Sequence, residues 1–361
     1  MQSSKSISPR TGLTFAILPD YDLGKCHIVK VNALFCIMKH GKHLEKTKTL
    51  VPIKDKLHPR SLHRGRYDFK QLTQHSVELA PFVRPNPYGE LGIDFADPVA
   101  VRIFNKALLS FYYQIKDWDI PAPFLVPPVP GRTDYIHYIA DLLAENHQGA
   151  IPSGPQIKGL DIGVGANGIY PLVGHRLYGW SFIGSDISDK ALLHLQKIIQ
   201  ANDLQQAIVL RKQFSTQQIF NGVYQSPERF HFTMCNPPFH SSPEAAQAGS
   251  LRKVRNLNKN KTEKVILNFG GENQELWCPG GERHFITQMI KESSAMPFSC
   301  LWYTTLVSKK ENVGPLQQEL RKMEVQVTKV ISMGQGQKNS RILAWSFMND
   351  KQRQDFMQNE G

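Results

Sequence analysis

Cysteine is scarce and scattered in this chain. The five (Cys26, Cys36, Cys235, Cys278 and Cys300) form no Cys-x-x-Cys pair and no metal-ligand spacing. That pattern excludes a disulfide scaffold and predicts reduced thiols in a cytoplasm, with no metal bound. Long apolar runs are missing as well. The most apolar stretch, Val31 to Met38, is far short of the roughly 20 residues a membrane span needs. The N-terminus also lacks the apolar core and small-residue cleavage site of a secretory signal. No internal repeat appears. A soluble, cytoplasmic protein is expected.

Negative charge is in deficit, with 31 Asp and Glu against 43 Lys and Arg, a net +12. The excess is localised: residues 1–66 hold 13 basic against 4 acidic side chains, and residues 245–265 hold 6 against 1. Two basic surfaces on an otherwise ordinary globular composition point to a polyanionic partner. In the first of them, Arg60, Arg64 and Arg66 lie among His58, His63, Tyr67 and Phe69, a mixture suited to phosphate contacts and base stacking. A solvated basic arm is the plainer reading.

What is present is strand–helix alternation. Asp97-Pro98 caps and starts a helix whose Val101, Phe104, Leu108 and Phe111 form a buried stripe to Tyr113. Five prolines between Trp118 and Pro130 predict an extended connection, and Gly131 leads into a second helix through Ala144. Strands are then expected at 159–162, 181–185, 208–210, 230–235 and 299–307. A closing pair follows at 325–330 and 342–347, with helices at 189–201, 281–294 and 313–323. This is the signature of a doubly wound sheet.

Two stretches carry chemistry. In Asp161-Ile162-Gly163-Val164-Gly165-Ala166-Asn167-Gly168 a strand enters a glycine turn that opens a helix, a nucleotide-binding arrangement. Asp186 ends the next strand 25 positions later, about the distance at which a carboxylate takes ribose hydroxyls. The other stretch is Asn236-Pro237-Pro238-Phe239. Neither proline can donate to a ladder, so the strand ending at Cys235 must stop there. Asn236 is pushed out of the helical region by the proline that follows. An amide, backbone carbonyls and an aromatic face at a strand tip suit a planar ring bearing an amine. In a doubly wound sheet the first and fourth strands are neighbours. The glycine turn and Asn236 are therefore expected to face one pocket, which fits S-adenosylmethionine and an amine acceptor better than a dinucleotide.

Further blocks complete a resemblance: His58-Pro59-Arg60, Pro130-Gly131-Arg132 with Asp134-Tyr135-Ile136-His137, and Ile169-Tyr170-Pro171. Beyond the catalytic tetrapeptide come Asn268-Phe269-Gly270-Gly271, Glu275-Leu276-Trp277-Cys278, Gly280-Gly281-Glu282 and Gln335-Gly336-Gln337-Lys338. Over residues 57–355 the chain resembles the RlmF-type 23S ribosomal RNA adenine-N(6)-methyltransferases. Their superfamily includes the eukaryotic enzyme that methylates U6 small nuclear RNA. Gly168 departs from the family, which often has cysteine there, and residues 1–56 have no counterpart.

The resemblance implies a Rossmann-like class I methyltransferase of α/β class, with a seven-stranded, mostly parallel sheet and helices on both faces. A basic extension (1–56), an RNA-contacting helical module (57–125), the methyltransferase domain (126–350) and a tail (351–361) would make up the chain. S-adenosylmethionine would be held by Asp161, Gly163, Gly165 and Asp186, with Arg132 on its carboxylate and Thr216 or Ser215 on the adenine edge. Asn236 and the Pro237 carbonyl would accept the two hydrogens of an adenine amine, beside Pro238, with Phe239 stacked on the base. Arg60, Arg64 and Arg66, and Arg252, Lys253 and Arg255 of the second basic stretch, would grip RNA. The implied partner is 23S rRNA or a large-subunit assembly intermediate, met by a monomer. The rival readings are a methyltransferase acting on glutamine amides of proteins and a non-catalytic RNA-binding assembly factor.

Overall fold

The computed structural model describes residues 56–121, 124–248, 276–335 and 338–358, all within the compact unit Leu50–Gly361. The basic extension and the loop bearing Arg252, Lys253, Arg255 and Asn268–Gly271 lie outside the described residues.

Seven strands form the central sheet: β3 (Lys158–Ile162), β4 (Ser181–Asp186), β5 (Ile208–Lys212), β6 (Phe230–Cys235), β7 (Cys300–Val307), β8 (Val327–Gln335) and β9 (Lys338–Ser346). Their order is β5-β4-β3-β6-β7-β9-β8. The first five run parallel, β9 is antiparallel to β7, and β8 is antiparallel to β9. Every residue of β6 and β7 is buried, as expected of strands covered on both faces.

Helices α3 (Val129–Ala144), α4 (Ile169–Tyr178) and α5 (Asp189–Ala201) cover one face through Ile136, Ile139, Leu172, Val173 and Leu195. On the other, α6 (Gly281–Ser293) and α7 (Lys310–Lys322) pack Ile286, Met289, Ile290, Leu316 and Leu320 around Phe220 and Tyr303. Chain order reverses between β3 and β6, so the crevice of the fold opens at their C-terminal tips. The expected class I sheet is present, strand for strand.

The N-terminal module consists of α1 (Phe69–His75), a 3-10 turn (Val77–Phe82), the short hairpin β1 (Arg84–Pro85) and β2 (Leu91–Gly92), and α2 (Pro98–Tyr113). Asp68 caps α1, and Asp97 caps α2 by accepting from Val99 N and Ala100 N. The module shares one apolar cluster with the sheet: Phe104, Leu108 and Trp118 belong to the same core as Ile136 and Phe232.

Several boundaries differ from the sequence expectation, each for a local reason. Helix α3 starts at Val129, because a proline within the first turn is pre-set for the helix and gives up only an N–H that would be unpaired anyway. Helix α7 starts at Lys310, with Pro315 inside it. β8 and β9 extend to the hairpin tip through polar residues that an apolar pattern does not flag. The stretch read as a tail holds a helix, α8 (Asp350–Gln358), pinned by buried Arg353 and Phe356. The Arg353 guanidinium lies 5.2 Å from the Trp302 ring centroid, and Phe356 stands edge-on to His231. Gly168, where the chain departs from the resemblance, has a φ of +53°, and a Cβ there would meet Leu195 of α5 at 2.2 Å.

Candidate active site

The pairing of β3 with β6 sets the site. Ile162 is in register with Cys235, so Gly163 and Asn236 leave adjacent parallel strands at the same level, with the strands roughly 4.8 Å apart.

Beyond β3 the glycine turn is tied to β4. Gly163 N and Val164 N both donate to the Ser185 carbonyl at 2.9 Å. Gly165 N donates to Asp186 Oδ2 at 2.9 Å, and Ser188 N to Asp186 Oδ1 at 2.8 Å. Asp186 therefore braces the turn while keeping lone pairs for a ligand. Burial raises its pKa, and the backbone N–H donors and Lys212 oppose the shift. Gly163 has a φ of +72° and open space where a Cβ would point, so a side chain there would be strained and would stand in the crevice.

Under the turn lies a carboxylate without partners. Asp161 is 1% exposed, and neither of its oxygens accepts a hydrogen bond. Burial, then the charge of Asp186, push its pKa up to about 8, and Arg132 offsets this only in part. Arg132, in the first turn of α3, donates Nη1 to Tyr170 Oη at 2.7 Å and lies 5.6 Å from that ring's centroid. Tyr170 in turn meets Tyr135 edge-on. A bare carboxylate and a guanidinium with donors to spare thus share one desolvated neighbourhood.

On the other strand, Asn236 is half-buried and Pro237 buried, and among the described residues the Asn236 amide makes no hydrogen bond. The backbone just beyond is held firmly. Phe239 N and His240 N both donate to the Leu276 carbonyl, at 3.1 and 3.0 Å, and Cys278 N donates to the His240 carbonyl at 3.1 Å. Glu282, buried at the start of α6, anchors this clamp to the tip of β7. Its carboxylate accepts from Ser308 N (2.7 Å), Ser308 Oγ, Lys309 N (3.2 Å) and Asn312 Nδ2 (2.7 Å). The sequence marks Leu276, Cys278 and Glu282 only as blocks of a resemblance. Their clamping role depends on contacts between distant stretches, which no local pattern reveals. Tyr170 likewise stands in the sequence only as part of a block.

The structure thus brings Arg132, Asp161, Gly163, Gly165, Asp186 and Asn236-Pro237-Pro238-Phe239 to one edge of the sheet. Thr216 is exposed just beyond β5, on the far side of β4 from β3. Arg60, Arg64 and Arg66 lie elsewhere. Arg60 pairs with Asp141 at 2.7 Å and donates to the His137 carbonyl and Tyr178 Oη. His137 and Asp141 lie five and nine residues beyond Arg132, about 8–14 Å along α3. Arg66 pairs with Glu90 of the hairpin, and Arg64 Nη1 reaches the Pro59 carbonyl at 3.5 Å. Arg60 and Arg66 act here as fasteners of the N-terminal module. Among the described residues no three His, Cys, Asp or Glu side chains cluster as a metal site, and no helix is long and apolar enough to cross a membrane.

A family model described as RNA methyltransferase matches residues 51–349. The chain belongs to this family. Ribosomal RNA large subunit methyltransferase F of Pseudomonas savastanoi pv. phaseolicola is 55% identical over 299 residues, 82% of this chain and 91% of the relative. The protein of the same name from Flavobacterium johnsoniae is 51% identical over 306 residues, 84% and 97% of the two chains. Among solved structures, the hMettl16 catalytic domain in complex with MAT2A 3′UTR hairpin 1 gives a TM-score of 0.68 at 30% identity, over 82% of this chain and 96% of that one. The N-terminal domain of human METTL16 in complex with SAH gives 0.65 at 28%, over 81% and 99%. The protein is an S-adenosylmethionine-dependent RNA methyltransferase.

Two expectations follow from the geometry. Glu282→Gln puts an amide N–H among four donors. It should cost about 1–3 kcal/mol of stability and lower the methyltransferase kcat roughly tenfold through a loosened Phe239–His240 backbone, with cofactor affinity nearly unchanged. Single-turnover assays beside cofactor titrations check this, and an unaltered rate constant refutes the clamp. For Asp161, the folded chain keeps a proton up to about pH 8 that the unfolded chain loses near its ordinary value of 3.8. Wild-type stability should therefore fall as pH rises through that window. Asp161→Asn should be the more stable protein at pH 8, by a margin that shrinks toward pH 4. Thermal melts across the range test it, and a margin that grows toward acid would contradict a buried neutral carboxyl.

Proposed function

We propose that this methyltransferase modifies the exocyclic N6 of one adenine in 23S rRNA, as a cytoplasmic monomer acting on the RNA or on a large-subunit assembly intermediate. The observation that carries the reading is the Asn236 amide, unbonded among the described residues, beside the glycine turn at the tips of paired strands. The relatives named for the ribosomal large subunit and the RNA-bound structural neighbour support the substrate class.

The site fits the cofactor on its own chemistry. S-adenosylmethionine ends in an amino acid zwitterion and carries no phosphate. Arg132 would take its carboxylate, and the bare oxygens of Asp161 would take its ammonium. A dinucleotide has no ammonium to meet the bare Asp161 oxygens, which argues against one. The remaining lone pairs of Asp186 suit ribose hydroxyls, and the open face of Gly163 admits the ligand. Thr216 would lie toward the adenine edge. The cofactor supplies an electrophilic methyl group on its sulfonium.

The chain's own residues hold the acceptor. The lone pair of an adenine amine is delocalised into the ring, and positive charge grows on nitrogen as it is methylated. Asn236 Oδ1 and the Pro237 carbonyl, accepting one hydrogen each, would align the lone pair and stabilise that charge. Pro238 stiffens the turn, and Phe239 would stack on the base once it is drawn out of the RNA. No strongly basic side chain is needed, because the proton can leave to water after transfer. Cations of the 245–265 stretch, Arg252, Lys253 and Arg255 among them, would meet phosphates.

Asn236→Ala should reduce methylation of protein-free 23S rRNA by about a hundredfold or more, with RNA and cofactor affinity retained. Nucleoside mass spectrometry of rRNA from cells lacking the protein, complemented with wild type or the variant, reads the result. Restoration of N6-methyladenosine by Asn236→Ala, or methyl transfer to release-factor glutamine in place of RNA, would overturn the assignment.

A further inference from the structure

The connection from α2 to α3 passes beneath the glycine turn and delivers one hydrogen bond to it. Trp118 is fully buried, and its indole Nε1–H donates to the Asn167 carbonyl at 2.9 Å. Asn167 lies just outside α4, whose cap is Gly168 at φ +53° and whose first in-helix bond runs from Leu172 N to the Gly168 carbonyl. The helix therefore offers the Asn167 carbonyl no donor, and Trp118 supplies one from outside.

The strap carrying Trp118 is fixed on several sides. Lys116 N donates to Asn202 Oδ1 at 2.7 Å, and Asn202 Nδ2 returns a bond to the Lys116 carbonyl at 2.8 Å. His194 Nε2 of α5 meets the Asp119 carbonyl at 2.8 Å, and Arg102 of α2 pairs with the Asp119 carboxylate. Gln114 and Asp117, neither of them glycine, sit at φ +54° and +51°. Backbone held in that region by so many bonds is over-determined, as segments that position other groups tend to be.

We propose that Trp118 is a positioning residue for methyl transfer. By satisfying the Asn167 carbonyl it holds the glycine turn in its cofactor-binding shape, and it makes that shape depend on the N-terminal module. The inference rests on the reading of the turn as the S-adenosylmethionine site.

The test measures binding of S-adenosylhomocysteine to the full-length chain by calorimetry. Trp118→Phe, which removes only the N–H and some ring area, should weaken binding about tenfold, with RNA affinity within about twofold of wild type. A general packing defect at Trp118 would weaken RNA binding as well. Should Trp118→Phe fail to fold, Arg102→Ala loosens the same strap at the surface and should weaken binding about two- to threefold. Unchanged cofactor affinity in the foldable variant, or a Trp118→Phe loss shared equally by RNA affinity, overturns the proposal. Asp186→Ala separates the two levels. If it leaves affinity intact, the turn is not the cofactor site and both readings fall. If it abolishes binding while the strap variants do not weaken it, only the role of Trp118 falls.

Discussion

The parallel ladder between β3 and β6 is the constraint from which the site follows. Backbone hydrogen bonds fix the register Ile162 to Cys235, and both strands are buried where they meet. A slip of one residue would turn every side chain to the opposite face, so the core itself enforces the pairing. The two turns proposed to hold cofactor and acceptor are therefore set side by side by buried, ladder-bonded backbone. A nucleotide turn and an amine-binding turn held only by loops would need ordering each time a ligand arrived. Here the backbone cost is met on folding, the condition for acceptors to act on charge that develops only during reaction.

Around that junction the polar bonds are unevenly shared. Among the described residues, the side chains proposed to touch ligands keep unused capacity: Asn236 is unbonded, Asp161 bare, Arg132 tied by one donor to Tyr170, and Asp186 held by backbone N–H donors with lone pairs left over. Their neighbours are saturated: Glu282 takes four donors, and the Leu276 carbonyl takes two backbone N–H groups. Two independent clamps result, one drawn from the segment before α6 and one from the strap after α2. Each joins a functional turn to an element far away in sequence, so the site's precision is a property of the assembled sheet and its flanks.

The sheet was legible because its strands are short apolar runs bounded by breakers, and buried parallel strands read that way. Helix α2 was legible from its cap and stripe. The fasteners were not. Arg60 and Arg66 look like free cations in a basic run, and only tertiary contacts show that Asp141 and Glu90 hold them. Helix α8 is too short and polar to announce itself, and what keeps it is the docking of Arg353 and Phe356 against Trp302 and His231. In the sequence Trp118 only marks the start of a proline-rich connection. Its bond to the Asn167 carbonyl exists only once the strap lies under the turn. Local pattern encodes elements, whereas the bonds that tune a site join stretches dozens of residues apart.

Asp161 shows where fold and function pull apart. A buried carboxylate with neither oxygen bonded is costly, and apolar packing would serve the core better. The sheet nonetheless places this acid at the fourth position of β3, in the buried part of the strand, beside a second carboxylate that raises the cost. Arg132 lies near enough to relieve part of the strain, yet its direct bond goes to Tyr170. An arrangement left unsatisfied in this way makes sense if the missing partner arrives from outside as a cation next to an anion. The zwitterionic end of the proposed cofactor meets both requirements at once. Neutral when it has no partner and ionised against an incoming ammonium, Asp161 would convert the stability it withholds from the fold into affinity for the ligand.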